Sequence, residues 1–273
     1  MVLPAYAGAL NTKDERETAL ITGASSGIGL DLACLMAPDF DLIITARNKA
    51  KLEQIAQNLQ SKNGNHVHVI PADLADSKAP ELLFAEIKRR GLPVDILVNN
   101  AGFGAYGPFT ETNLQDELAM IQVNITALTH LTKLVLPEMK ARKRGRILNV
   151  ASTAGFQPGP LMAVYYATKA YVISFSEAIA NELKGSGISV SCLCPGATAT
   201  EFAARAGMEK SRLFKLGAMQ SRNVARAGYL KLLLGRSGLV IPGVINKLMV
   251  QSLRISPRRL VTAIARRLQE QVG

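Results

Sequence analysis

Acidic residues nearly vanish from the last quarter of the sequence. Positions 201–273 hold 14 Lys/Arg against 3 Asp/Glu, whereas positions 1–200 hold 18 of each, so the whole formal charge of +11 sits in the tail. Cysteine is scarce as well. Three residues, Cys34, Cys192 and Cys194, cannot build a disulfide framework, and they suit a reducing, cytoplasmic setting. No run of about 18 uninterrupted apolar residues is present, so no membrane span is indicated. Met1–Leu10 lacks a basic lead and runs into Lys13, Asp14, Glu15, Arg16 and Glu17. It therefore reads as a short unstructured or docked leader and not as a signal peptide. Neither an internal repeat nor a low-complexity segment is found. His66 and His68 alternate along one strand pattern, and Cys192 and Cys194 share one strand face, but no further ligands gather near either pair. No metal is expected, and the two thiols read as buried.

What is present is enough apolar material for one sizeable core, 48% of 273 residues. Short β-branched runs alternate with longer helical patterns. Strands are expected at Thr18–Thr22, Asp41–Thr45, His66–Ile70, Asp95–Val98, Arg146–Ala151 and Ile188–Leu193. Helices are expected near Ile28–Ala37, Asn48–Leu59, Lys78–Arg89, Leu114–Leu136 with a stop at Pro137, and Leu161–Leu183 with a stop at Gly185. A last strand and turn fall at Gly238–Gly243, followed by basic, partly amphipathic helices at Val244–Leu253 and Arg259–Leu268. Strands separated by helices pair in parallel through right-handed crossovers. The expected fold is α/β, a doubly wound, Rossmann-type parallel sheet in a single domain. Residues 18–200 would form the cofactor-binding and catalytic core, and 201–273 a substrate flap and basic helical C-terminal extension.

Thr22-Gly23-Ala24-Ser25-Ser26-Gly27-Ile28-Gly29 follows the first strand and opens the first helix. Gly23 allows a tight turn, Gly27 lets the backbone approach a pyrophosphate, and Gly29 lets the helix pack closely. The helix N-terminus offers free N–H groups and a positive dipole end, and Ser25 and Ser26 add hydroxyl donors. The spacing is TGxxxGxG. Set between this strand and this helix, it points to a dinucleotide. An acid at the end of the second strand would select NAD through the ribose 2′-OH. Here Thr45-Ala46-Arg47-Asn48 holds none. Arg47 can pair with a 2′-phosphate as a charge-assisted fork, which predicts NADP(H); the bland alternative is a solvated arginine.

Tyr165 and Lys169 lie four apart, on one face of a helix. A free Tyr titrates at about 10, and a nearby ammonium favours its phenolate. The phenol could then exchange a proton with a carbonyl or alcohol. Tyr166 has the wrong helical phase for the same partnership. Ser152 ends the fifth strand thirteen residues before Tyr165 and meets it at the same rim of the sheet, where its hydroxyl can orient a substrate oxygen.

TGASSGIG, NNAG (Asn99–Gly102), VNITA around Asn124, the Ser152–Tyr165–Lys169 spacing and PGATAT (Pro195–Thr200) occur in one order. Together they resemble the short-chain dehydrogenase/reductase family over about Ala19–Thr200. The resemblance implies residue roles. Tyr165 would be the general acid/base. Lys169 would hold the nicotinamide ribose and bias Tyr165, and Ser152 would position the carbonyl. Asn124 would fix a water that relays protons through Lys169, or else it kinks the long helix. Asp73 and Leu74 would contact adenine. Asn100, Ala101 and Gly102 would line the cofactor cleft, and Pro195, Gly196, Thr198 and Thr200 would cradle the nicotinamide. Hydride would pass between nicotinamide and a substrate carbon while Tyr165 supplies or accepts the proton.

The family places a substrate-side flap after PGxxxT. Here Phe202, Met208, Leu213, Phe214, Leu216 and Met219 point to an apolar or long-chain ketone, aldehyde or 3-oxoacyl substrate, or to plain helix packing. The basic tail admits three readings: an anionic membrane surface, an acidic carrier, or a solvated face. Nucleic acid is not expected, since no recognition module accompanies the charge. A homo-oligomer, dimer or tetramer, is expected through the long helix and the catalytic helix. Two other classes of function fit the same fold: a non-catalytic NADP(H) sensor or interaction protein, and a peripheral membrane protein that handles lipid.

Overall fold

The computed structural model describes residues 16–208, 211–212 and 217–271. The expected leader and the flap residues Leu213, Phe214 and Leu216 lie outside the described residues. The elements run β1 Thr18–Thr22, α1 Gly27–Met36, β2 Asp41–Thr45, α2 Lys49–Asn63, β3 Val67–Val69, α3 Ala79–Arg89 and β4 Ile96–Asn99. They continue with α4 Leu114–Ile121, α5 Leu128–Ala141, β5 Gly145–Val150, α6 Ala163–Glu182 and β6 Ile188–Leu193. The last quarter holds β7 Thr198–Ala199, α7 Glu201–Arg205, β8 Met219–Gln220, α8 Ser221–Leu233, β9 Gly238–Val240, α9 Val244–Leu253 and α10 Arg258–Gln269.

Seven strands pair in parallel in the order β3-β2-β1-β4-β5-β6-β9, and β7 and β8 make a separate two-residue ladder. Side chains alternate across the sheet. Ala19, Ile21 and Ile44 pack under Leu32 and Met36 of α1 and Val224 and Leu232 of α8. Leu20, Ile43, Leu97 and Ile147 pack under Leu83 and Ile87 of α3 and Leu131 and Val135 of α5. Because both faces are covered, the strands read as continuous apolar runs. The strand order reverses between β1 and β4, and that switch point opens a crevice at the carboxyl ends of the strands.

The long helix departs from expectation. It runs from Leu114 to Ala141 with Pro137 inside it, and its middle, Gln122–Ala127, widens into a π turn. A proline costs a helix about 3 kcal/mol, but Val135 and Met139 on either side of Pro137 are fully buried against the sheet. Their burial carries the helix through the break. By length and composition this is the one helix among the described residues apolar enough to cross a membrane, with 39% of its apolar window buried. Its Leu131, Val135 and Met139 belong to the core under the sheet.

Candidate active site

A cleft of about 1130 Å³ lies over the ends of β1, β2, β4, β5 and β6. Every site residue expected from the sequence lines it except Gly29 and Asn124, which sit directly behind its wall.

At one end is the turn after β1. Thr22 Oγ1 donates to Val98 O at 3.2 Å and accepts from Asn100 and Ala101 N–H, both at 3.0 Å. Asn100 Nδ2 donates to Thr22 O at 2.9 Å and to Gly23 O at 3.2 Å. The loop after β4 thus clasps the loop after β1. Gly29 is required by this clasp: a Cβ there would lie 2.3 Å from both Asn100 Nδ2 and Gly23 O. Its lack of a side chain admits the clasp, which brings the start of α1 close against the end of β1.

Ser25, Ser26, Gly27 and Ile28 face the cleft at the start of α1. Ser26 is the N-cap residue, yet its side chain makes no capping hydrogen bond, and no acid stands in the first turn. The first-turn N–H groups are therefore free to meet an anion. Arg47, Asn48 and Lys51 line the cleft beyond β2. Lys51 pairs with Glu201 of α7 at 3.3 Å, a bridge across the cleft mouth. Asp73 and Leu74 line the far wall, where the Asp73 carboxylate accepts from Ala75 N at 3.1 Å. Phosphate-seeking N–H groups at one point and two cations at the next fit a dinucleotide carrying a 2′-phosphate.

At the other end Tyr165 and Lys169 project from α6 and Ser152 from the end of β5. Ser152 Oγ accepts from Ala154 N at 3.1 Å and donates to Pro195 O at 3.2 Å, and it lines the same wall as Tyr165. The Tyr165 ring packs against Phe202, 5.2 Å between centroids, and edge-on against Tyr166. Burial pushes the Tyr165 phenol well above its ordinary range, and the Ser152 hydroxyl pulls it back only in part. This differs from the lowering expected from the YxxxK spacing. Lys169 Nζ lies 5.7 Å from the Tyr165 ring centroid and donates to Val150 O at 2.9 Å, so desolvation outweighs the cation. Burial brings Lys169 itself down to about 8, partly offset by the Cys192 and Cys194 thiols. Those thiols are buried, with 3.7 Å between sulfurs.

Asn124 sits on the π turn. Its Nδ2 donates to Phe103 O and to Thr168 Oγ1, both at 3.0 Å, and its Oδ1 accepts from Phe103 N at 3.1 Å. The amide side chain is thus committed to the loop after β4. Gly102 lets that loop close in, since a Cβ there would meet Asn124 Oδ1 at 3.0 Å and Lys169 Nζ at 3.4 Å. Pro195, Gly196, Thr198 and Thr200 line the floor. The Thr200 hydroxyl accepts from Phe202 N at 3.2 Å and caps α7, and Thr198 Oγ1 donates to Gly196 O at 2.9 Å.

Several lining residues escaped the sequence reading. Phe103–Tyr106 and Met162 form the wall beside Tyr165. Tyr166 is buried and lines the cleft as well, and its phenol accepts from Gln269 Nε2. Tyr106 donates to Gln269 O at 2.8 Å. The end of α10 therefore seals the cleft, together with Asn246 and Met249 of α9. The only sequence signal for this seal was weak: Val261, Ala265 and Gln269 fall at intervals of four.

The chain is similar to known proteins. Residues 17–211 match the family model described as short chain dehydrogenase. A very-long-chain 3-oxoacyl-CoA reductase of Pyrenophora tritici-repentis is 39% identical over 180 residues, covering 64% of this chain and 53% of that protein. The chain thus matches about half the length of that relative. The ketoacyl reductase HetN of a Nostoc species is 33% identical over 181 residues, covering 66% of this chain and 63% of that protein. Among solved structures, a short-chain dehydrogenase from Sphingobium yanoikuyae in complex with NADPH superimposes with a TM-score of 0.79 at 32% identity, over 89% of this chain and 94% of that one.

Proposed function

The chain belongs to the short chain dehydrogenase family, and from that premise we propose that it is an NADP(H)-dependent oxidoreductase that reduces an apolar ketone, aldehyde or 3-oxoacyl group. The observation that carries this is the convergence of Ser152, Tyr165 and Lys169 in one cleft whose other end presents Arg47 and the free N-terminus of α1. The NADPH complex of the Sphingobium relative and the 3-oxoacyl-CoA and ketoacyl reductase names of the others support the same direction.

When bound, NADPH supplies the hydride. The chain's own residues do the rest. Arg47 and Lys51 would hold a 2′-phosphate, and the N–H groups at Ser26–Ile28 would hold the pyrophosphate. Ser152 and Tyr165 direct hydroxyls at the substrate oxygen and stabilise the negative charge that develops there. Burial keeps the Tyr165 phenol protonated, so it gives its proton to that oxygen as the alcohol forms. Lys169 stands behind Tyr165, held by Val150 O, and restores charge balance as the phenol ionises. Asn124 fixes the Phe103 loop against this group. Met162, Phe202 and Met208 give the substrate side an apolar wall.

Exposed Leu114, Leu118 and Ile121 on α4 and Tyr171 on α6 supply a face for a second copy of the chain, which supports a homo-oligomer.

The test is initial rates with NADPH and NADH against ketones, aldehydes and 3-oxoacyl thioesters, for the chain and for Tyr165→Phe. Turnover that prefers NADPH and falls about 100-fold or more in the variant, with NADPH affinity kept, is the expected result. NADPH binding without turnover on any substrate in either protein would favour a sensor.

A further inference from the structure

Helices α9 and α10 each have two faces. One faces the fold: Val250, Val261, Ala265 and Gln269 are buried, and Asn246 and Met249 line the cleft. The other carries aliphatic side chains in open solvent. Val244, Ile245, Leu248, Leu260 and Ile264 are all exposed, Ile245 by 83%, and Ile255 in the link between the helices by 89%. Among these lie Lys247, Arg254, Arg258, Arg259, Arg266 and Arg267, with no acid anywhere in 244–269. Leu260, Ile264 and Leu268 recur at intervals of four along α10, and the last of them lines the cleft. An apolar stripe thus runs from the outer surface to the site.

We propose that α9 and α10 seat the protein on an anionic lipid bilayer, with aliphatic residues in the headgroup boundary and arginines reaching the phosphates. Aliphatics flanked by basic side chains on helices are what an interfacial helix requires. Arginine stems lie along apolar surface while their guanidinium groups reach outward. The sign of the charge matches an anionic leaflet and opposes a second copy of the same face, which would bring six cations against six. An acidic carrier protein would use the cations but leave the six aliphatics without a partner. Taken with the proposed function, the surface sets the α9–α10 wall of the cleft, with Leu268 on its inner side, against the lipid, so an apolar carbonyl compound would reach the site from the bilayer past that wall.

The full chain is sedimented with phosphatidylcholine vesicles, with and without phosphatidylserine, at low and high salt. It is expected to pellet with the anionic vesicles and to be released by salt. The pair Ile245→Ser and Leu248→Ser lies outside the cleft lining and is expected to weaken partitioning about tenfold or more. Unchanged NADPH titration would show that the pair leaves the fold intact. Wild-type chain left in the supernatant at low salt would overturn the proposal, as would a serine pair that pellets like wild type. Dimerisation, or retention of an acidic carrier protein, that the serine pair abolishes without any vesicle binding would reassign the face. Because sedimentation reads no turnover, failure of the reductase assignment and failure of the membrane assignment are separable.

Discussion

Arg47 is exposed, and no carboxylate shares its strand end. On the proposed reading its contribution is to choose between cofactors. Arg47→Asp is expected to lower the NADPH-over-NADH preference in kcat/KM by about 10- to 100-fold, since a charge-assisted pair becomes a repulsion. Lys169 is different because it is buried. Its folded value of about 8 lies below its ordinary 10.5, so between those values the unfolded chain holds more protons and stability rises with pH. Below about 8 the full cost, on the order of 3 kcal/mol, is present, and it is relieved as pH climbs to the unfolded value. Lys169→Met is expected to flatten that rise in urea denaturation of the cofactor-free protein. The convergence of Ser152, Tyr165 and Lys169 on one cleft was legible because their spacing is set by one strand end and one helix turn. The raised phenol of Tyr165 was not legible, because the groups that desolvate it, Phe202 and Tyr166 among them, arrive from separate segments.

Strands were the most legible elements, since sheet faces covered on both sides demand unbroken apolar runs such as Leu42-Ile43-Ile44. The long helix was misjudged at Pro137, where a local penalty competes with burial of Val135 and Met139, which only the tertiary structure supplies. Its π turn was equally hidden, although Asn124 marked the place. Asn124→Ala should remove both hydrogen bonds to the Phe103 backbone and cost about 1–3 kcal/mol, read as a lowered Tm, with a fall in kcat as the loop beside Lys169 loosens. The clasp between the loops after β1 and β4 predicts a harsher outcome. Gly29→Ala places a methyl 2.3 Å from Asn100 Nδ2 and Gly23 O, so NADPH affinity should drop along with about 1–3 kcal/mol of stability. Isothermal titration and thermal melts would separate the two losses. The inner face of α10 gave little warning because Ala265 is small and Gln269 is polar, so no apolar period announced that they seal the cleft.

At the scale of the molecule, charge is partitioned: a balanced first 200 residues carry the glycine turn and the Ser–Tyr–Lys group, and a cationic tail closes the cleft beside Tyr166. The exposed side of α4 and α6 leads to a prediction about assembly. Leu118→Arg combined with Ile121→Glu should shift the chain to monomers in sedimentation velocity, while melting within a few degrees of the parent, because both side chains are exposed. A wild-type chain that is already monomeric would remove that face from the account. The loop after β1 is synthesised ahead of a side chain that holds it, Asn100, which follows 78 residues after Thr22. Until β4 slots beside β1, the glycine turn is held only from the β2 side, by Gly23 and Ala24 N–H donating to Thr45 O, and the clasp is half made. Dinucleotide in the medium can therefore reward only a chain that has already closed this long loop, and its stabilising pull falls on the finished fold rather than on any fragment of it.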